Sequence, residues 1–284
     1  MPSSPAATRP TAATGRDRRS FGFWCRLNPR PGHMDDAHAH ADLEWNYLIQ
    51  GSMRYHTGGR ELVLPARRLL LFWAGLPHRS HHPSRDAEMV VGVLPLAQFL
   101  AWGLDRSALD RLLSGTFLLG PVDGYGDDER LLRRWCGDLA GGDPRRRAVV
   151  LLELRSRFAR LLATEAEPAV TTIPSPAVAG LLDRLVAGHR SRVSVEAAAR
   201  SAGMNAKYAY TAVRRHTGFT PRGFLEAFRV AQAQRRLIAG DSVAQAASVA
   251  GFASARTFHT AFLAQVGTSP AAWRRAVVQP AAET

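Results

Sequence analysis

The sequence predicts an α+β chain, with a small N-terminal β-barrel and following helices ahead of an all-α C-terminal domain. Three observations carry that reading. Short apolar segments separated by turn signals fill about residues 42–94. Helical spacing replaces them from Leu96 onward. The last hundred residues then contain one pattern twice. The expected organisation is a tail over 1–20, a barrel with helices over 21–164, a linker over 165–176, a helical domain over 177–277 and a tail over 278–284.

The 284 residues suffice for two domains, and a hydrophobic share of 46% is that of a folded chain. The net charge is +13 and unevenly placed. Residues 177–284 hold 14 Lys and Arg against 5 Asp and Glu, and residues 1–30 hold 6 against 1. The middle, 31–176, holds 17 against 18. A neutral body carrying a basic C-terminal domain is the electrostatic footprint of a nucleic-acid binder. The chain spreads arginine widely (36 of its 37 basic residues), but the neutral middle argues that the asymmetry is real.

Residues 1–20 are rich in Ala, Pro, Ser, Thr and Arg without apolar periodicity, which predicts a disordered basic tail. Arg18-Arg19-Ser20-Phe21 is not followed by an apolar segment, because Cys25, Arg26, Asn28 and Pro29 interrupt, so export is not expected. The apolar run Leu69 to Phe72 meets Gly75 and Pro77, so no bilayer span and no membrane partner are expected. Two cysteines, Cys25 and Cys136, stand in no metal-like spacing; they fit a reducing cytoplasm and argue against a disulfide scaffold.

The strands of 42–94 are divided by Gly51-Ser52, Gly58-Gly59, Gly75-Leu76-Pro77 and His82-Pro83-Ser84, spacing that predicts a small antiparallel barrel or sandwich. Leu109, Leu112 and Leu113 lie on one side of a helix. A second helix, Arg145 to Leu162, places Val149, Leu152, Phe158 and Leu162 near one stripe. These helices suit either a dimer interface or packing on their own barrel. Glu165-Ala-Glu-Pro through Ser175-Pro176 reads as the linker.

The duplicated pattern starts at Val195-Glu-Ala-Ala-Ala-Arg-Ser-Ala-Gly203-Met204 and again at Val243-Ala-Gln-Ala-Ala-Ser-Val-Ala-Gly251-Phe252. Each copy has an Ala-rich helix, a turn glycine and a second helix with a polar outer face, which together make a helix-turn-helix. The first outer face offers Asn205, Lys207, Tyr208, Tyr210, Thr211, Arg214 and Arg215. The second offers Ser254, Arg256, Thr257, His259 and Thr260. Such side chains bond base edges and phosphates in a major groove; a solvated helix face is the plain alternative for each. Apolar positions Phe224, Leu225, Phe228, Val230, Ala231 and Leu237 predict a long helix from Pro221 to Ile238 between the copies.

Ala198 to Arg275 resembles the DNA-binding domain of the AraC/XylS family. The matching stretches are Gly218-Phe-Thr-Pro221, Arg229-Val-Ala-Gln-Ala-Gln-Arg-Arg-Leu237, Ala247-Ser-Val-Ala-Gly-Phe252, Phe258-His-Thr-Ala-Phe262 and Gly267-Thr-Ser-Pro270-Ala-Ala-Trp-Arg-Arg275. Trp273 stands where tyrosine is usual in the family, and Val213 where phenylalanine is. The resemblance implies two recognition helices in successive major-groove segments, with base readers Lys207, Tyr210 and Thr211 in the first and Arg256, His259 and Thr260 in the second.

Gly32-x5-His38-x-His40-x3-Glu44-x6-Gly51 is similar to the first cupin motif. The second motif is partly kept: Gly75-x2-His78 fits, while Arg67, Trp73 and His82 stand where cupins prefer Gly, Pro and Asn. In an extended strand His38, His40 and Glu44 share one face. Three readings of His38, His40, Glu44 and His78 are open: a metal site, a polar effector pocket, or structural histidines. The pocket is preferred, because a barrel attached to this DNA-binding domain resembles a ligand sensor. Trp45, Tyr47 and Trp73 would suit stacking on a sugar ring, or simply fill the core. Leu70-Leu-Phe-Trp-Ala-Gly-Leu-Pro-His78, Leu94-Pro-Leu and Phe99-Leu-Ala-Trp102-Gly-Leu-Asp105 are similar to sugar-responsive members of the family, which implies a sugar or oligosaccharide effector.

The sequence therefore predicts a cytoplasmic, non-enzymatic transcription regulator, an activator controlled through His38, His40, Glu44, Trp73 and His78. No cofactor is expected. The expected partners are double-stranded operator DNA, a small-molecule effector, a second copy of the chain and, as a candidate, RNA polymerase. The alternative is a metal-dependent cupin enzyme fused to a DNA-binding domain.

Overall fold

The computed structural model describes residues 22–278 except 36, 58–59, 105, 114, 122–126, 164–170, 173–175 and 192. The expected N-terminal tail, the Gly58-Gly59 turn and most of the expected linker and C-terminal tail lie outside the described residues.

The described strands of the N-terminal part form two antiparallel sheets, a β-sandwich. One sheet contains β1 (Trp24–Asn28), β7 (Glu88–Pro95), β2 (Asp42–Gln50), β5 (Leu69–Trp73) and β8 (Leu118–Leu119), in that order. The other contains β6 (His78–His81), β3 (Met53–Thr57), β4 (Arg60–Leu64) and β9 (Thr171–Thr172). All pairings are antiparallel. Three strands escape a reading of 42–94, among them Leu118–Leu119, which pairs with Leu70 and Leu71 of β5. β1 precedes that window, and Thr171–Thr172, inside the expected linker, pairs with Glu61 and Leu62 of β4.

Alternation along β2 and β5 sorts side chains between two cores. Leu48, Leu70 and Phe72 face the sandwich interior with Met53, Tyr55 and Leu62. Leu43, Trp45, Tyr47, Leu69, Leu71 and Trp73 face outward, under a layer of helices. Those helices are α1 (Leu96–Ala101), α2 (Arg106–Leu113), α3 (Asp128–Ala140) and α4 (Pro144–Ala163). Trp135 of α3 meets Trp45 edge-on at 5.9 Å. In α4 the buried stripe is Val150, Leu154, Arg157, Phe158 and Leu161, an i, i+4, i+7 pattern. Val149 and Leu152, expected on the stripe, are 51% and 67% exposed, since they lie on the opposite side of the helix.

The C-terminal part is all α: α5 (Pro176–Ala187), α6 (Val195–Ser201), α7 (Ala206–Thr217), α8 (Pro221–Ile238), α9 (Val243–Val249), α10 (Ala255–Val266) and α11 (Pro270–Val278). Each helix-turn-helix starts on side-chain caps: Ser194 and Ser242 for α6 and α9, Asn205 and Ser254 for α7 and α10. α7 and α10 end on Gly218 and Gly267 in the left-handed region. The first unit has its own core with α5 and Phe224. The second shares its core with the helix layer over the sheet, through Val230, Leu237, Phe258, Phe262 and Trp273.

Candidate functional site

The barrel histidines are assembled by two antiparallel segments at the end of the sandwich. His38 and His78 exchange backbone hydrogen bonds of 2.9 and 2.8 Å, and His40 N donates to the Ala74 carbonyl at 2.9 Å. Glu44 follows on β2 with its side chain inward beside Phe72's strand position. One ligand atom from each of His38, His40, Glu44 and His78 lies within 4.8 Å of the other three. His38 is half-buried, and the other three are buried.

His40 is held from both sides: Nδ1 lies 3.2 Å from Asp42 Oδ2, and Nε2 3.4 Å from Glu44 Oε2. Burial lowers the His40 pKa, but the two carboxylates outweigh it, and the net shift is upward. Burial likewise raises that of Glu44, yet hydrogen bonds and charge from His40 and His78 hold its carboxyl well below the usual range. Asn46 Nδ2 donates to Glu44 Oε1 at 2.9 Å. His78 Nδ1 is 3.0 Å from the Leu76 carbonyl, which can only accept, so that nitrogen carries the proton. His78 Nε2 then faces Glu44 Oε2 at 3.4 Å. Two lone pairs would oppose each other there unless a proton or a cation lies between them. With His40 and His78 each oriented through the other ring nitrogen, the donor set fits a divalent transition metal.

Trp73 does not belong to this group. It faces the opposite side of the sheet from Glu44, packed with Trp45 and Tyr47 under the helices. Gly75 and Gly92 leave room for the Trp73 and Trp45 rings, since a Cβ at either would overlap them. All three aromatics fill core, and none is placed to stack on a ligand beside the histidines.

The space next to His40 is small, about 10 Å³, and lies between the two parts of the chain. Ala39, His40, Ala41 and Gly75 line it from the barrel; Val230 and Gln234 of α8 and Gln265 and Val266 of α10 line it from the other side. Gln234 is 2% exposed, and among the described residues its Nε2 has no hydrogen-bond partner. A larger cleft of about 360 Å³ lies elsewhere, between Tyr47, Arg67 and the start of α3, lined by Asp127, Asp128, Glu129, Arg130 and Arg133. No sequence motif marks it, because its residues come from unconnected segments.

Of the expected DNA-facing residues, Asn205, Lys207, Tyr210, Thr211, Arg214 and Arg215 are exposed on or beside α7. Ser254, Arg256, His259 and Thr260 are exposed on or beside α10. Three of them also have local duties. Asn205 Oδ1 accepts from Tyr208 N at 2.8 Å and Ser254 Oγ from Thr257 N at 3.1 Å, so both cap their helices. Thr211 Oγ1 donates back to the Lys207 carbonyl at 3.2 Å. Arg229, part of the quoted motif, is not a surface reader: Nε and Nη2 donate to the His189 and Ser191 carbonyls at 2.7 and 2.8 Å, fixing α8 to the loop after α5.

A helix-turn-helix domain model matches residues 198–276, and a cupin domain model matches 26–94. The chain is similar to the melibiose operon regulatory protein of Escherichia coli, 23% identical over 265 residues, covering 86% of this chain and 85% of that protein. Among solved structures, apo ToxT of Vibrio cholerae, in a point variant, is 12% identical with a TM-score of 0.39, covering 92% of this chain and 99% of that one. The DNA-binding domain of AdpA, solved with a target DNA, is 32% identical with a TM-score of 0.35, covering 38% of this chain and 99% of that one. Among the described residues no helix is long and apolar enough to cross a membrane.

Proposed function

We propose that this chain, a DNA-binding transcription regulator of the AraC family with a cupin domain in its N-terminal part, is an activator gated by a small polar effector at His38, His40, Glu44 and His78. The observation that carries the reading is the shared space in which His40 of the barrel meets Gln234 of the helix joining the two DNA-binding units. A sugar needs room on the order of 300 Å³. Entry beside His40 would therefore part segment 37–41 from α8, and effector binding would favour a different arrangement of the domains. The sugar class follows from the melibiose relative; Glu44, Asn46 and the histidines supply the acceptors and donors that hydroxyl groups require.

DNA is engaged in this reading by Lys207, Tyr210, Thr211, Arg256, His259 and Thr260 at base edges, with Arg214 and Arg215 on phosphates. Asn205 and Ser254 contribute from their capping positions. Exposed Val149 and Leu152 on α4 would give a second copy an apolar surface, and an activator would further contact RNA polymerase. The test is thermal stabilisation of the full chain by a panel of mono- and oligosaccharides, followed by footprinting on upstream DNA with the stabilising sugar. Stabilisation lost in Glu44→Gln, with altered operator protection, is the expected result. Stabilisation that survives Glu44→Gln but is lost in Arg133→Ala would move the effector to the cleft at α3. No response to any sugar would remove the class.

The opposed His78 and Glu44 atoms favour a second occupant for the same residues, one divalent metal ion. Stoichiometric iron, nickel, manganese or zinc in protein purified without chelator, lost in His40→Ala, would establish it. That outcome would make the chain a metal-responsive regulator or a metal-dependent cupin enzyme on a DNA-binding domain.

A further inference from the structure

The chain has two cysteines, 111 positions apart, and the fold brings them together. Cys25 lies on β1, which among the described residues is an edge strand paired with β7 alone. Cys136 lies on α3, the helix packed over β1. Their Sγ atoms are 3.6 Å apart, and both are thiols. A disulfide needs about 2.05 Å between the sulfurs, so the two Sγ atoms, 3.6 Å apart, would have to close by about 1.5 Å. Cys25 is buried and Cys136 half-buried, so a small oxidant reaches Cys136 first.

The electrostatics separate the two roles. A hydrogen bond from Cys25 favours the Cys136 thiolate, burial opposes it, and Arg133 one turn earlier on α3 adds positive charge; the net effect lowers the Cys136 pKa. The same hydrogen bond, burial and the charge of Cys136 hold Cys25 in its protonated form. Reactivity follows thiolate character and access, which makes Cys136 the attacking sulfur and Cys25 the resolving one.

We propose that Cys25 and Cys136 are a redox modification site, closed by hydrogen peroxide into a reversible intrachain disulfide. The Cys136 thiolate attacks one peroxide oxygen; an S–O bond forms, the O–O bond breaks, and the departing hydroxide takes up a proton to become water. Cys25 then attacks the Cys136 sulfenic acid as it gives up its proton. The S–S bond forms, the S–O bond breaks, and a second water leaves. Two thiols and one peroxide give one disulfide and two waters. A dithiol reductant reverses the change by exchange through a mixed disulfide. Transient bonds of this kind are the ones a reducing compartment permits.

The bond would tie α3 to β1. α3 carries Trp135 over Trp45, and Asp128, which holds Arg157 of α4. Closing so long a loop constrains the unfolded chain, so the oxidised protein should melt at higher temperature. None of this depends on which effector the barrel takes.

The test treats the full chain with hydrogen peroxide, then counts thiols and maps non-reduced peptides by mass spectrometry. The expected result is loss of both thiols, a mass lower by two hydrogens, a cross-link between the Cys25 and Cys136 peptides in monomeric protein, and full reversal by dithiothreitol. In Cys25→Ser a sulfenic acid at Cys136 should be trapped by dimedone, whereas Cys136→Ser should leave Cys25 unreacted. Two thiols surviving excess peroxide, sulfonic acid at Cys136 beside a free Cys25 thiol, or cross-linked dimers as the main product would each overturn the proposal. The wild-type peptide map decides the matter even where a serine variant fails to fold.

Discussion

Arg79 of β6 donates from Nη2 to the backbone carbonyl of Arg215 at 2.7 Å, tying the barrel to the last turn of the first recognition helix. The same guanidinium donates from Nη1 to the Asp35 carbonyl at 3.1 Å, in the segment that leads to His38. Nearby, a Cβ on Gly218 would lie 2.7 Å from Ala37 N, so the end of α7 rests directly on that segment. One arginine thus touches both the approach to the proposed effector residues and the helix proposed to read DNA.

Arg79→Ala should loosen this contact and raise effector-free affinity for operator DNA. A hydrogen bond worth about 1 kcal/mol corresponds to roughly a five-fold change. Fluorescence anisotropy with labelled operator measures it, and unchanged affinity would place the contact outside the gate.

Lys207→Ala and Arg256→Ala should each relax preference at one base position by about 1–3 kcal/mol. Arg214→Ala should instead weaken binding to every sequence alike and lower the salt slope by about one. Selection from a randomised operator, run at two salt concentrations, separates the two behaviours. A uniform loss in the Lys207 variant would make that side chain a phosphate contact.

Much of this architecture was readable because it repeats. The 48- to 49-residue offset between the two units placed both recognition helices and the helix Pro221–Ile238 between them. Turn signals between short apolar segments pointed to the sandwich, and the spacing of His38, His40, Glu44 and His78 pointed to a cluster that tertiary structure assembles. What escaped depends on partners distant in the chain. Alternation says that Trp73 and Glu44 face opposite sides only once the register of β2 against β5 is known. Thr171–Thr172 is too short to show a period, and Arg157 looks like any solvent-facing arginine until Asp128 is placed beside it.

That pair carries a stability prediction. Arg157 Nε and Nη2 donate to Asp128 Oδ1 and Oδ2, both at 2.7 Å, and both residues are buried. Asp128→Ala leaves a guanidinium without its carboxylate and should cost about 3–5 kcal/mol. Pairing it with Arg157→Met should recover much of that loss in urea unfolding. A double variant as unstable as the sum of the singles would mean that the two side chains act separately.

His81 makes stability depend on pH. Burial pushes its pKa down from near 6.5 to about 4, against the pull of Glu61 and with help from Arg79, His82 and His33. Between those values the unfolded chain binds more protons than the folded one. The contribution is therefore full above pH 6.5 and is lost as pH falls toward 4, with a slope of at most about 1.4 kcal/mol per pH unit. His81→Gln should flatten the decline in unfolding midpoint from pH 7 to 5. Parallel curves for variant and wild type would assign the acid sensitivity to other groups.

The two turn glycines look equivalent in the repeat but stand in different surroundings. Gly203 has φ +71 and nothing within 4 Å of an added Cβ, so Gly203→Ala should cost only the left-handed backbone, about 1 kcal/mol. Gly251 has φ +87, and an added Cβ would overlap the His189 carbonyl oxygen in the loop that Arg229 fixes. Backbone cannot yield there without moving the whole second unit, so Gly251→Ala should cost roughly 3 kcal/mol or more. It should also weaken operator binding, because the spacing of α10 from α7 depends on that close approach. Thermal melts and anisotropy on both variants test the contrast. Equal losses from the two substitutions would mean that the turn alone, and not the docking of one unit against the other, selects glycine at these positions.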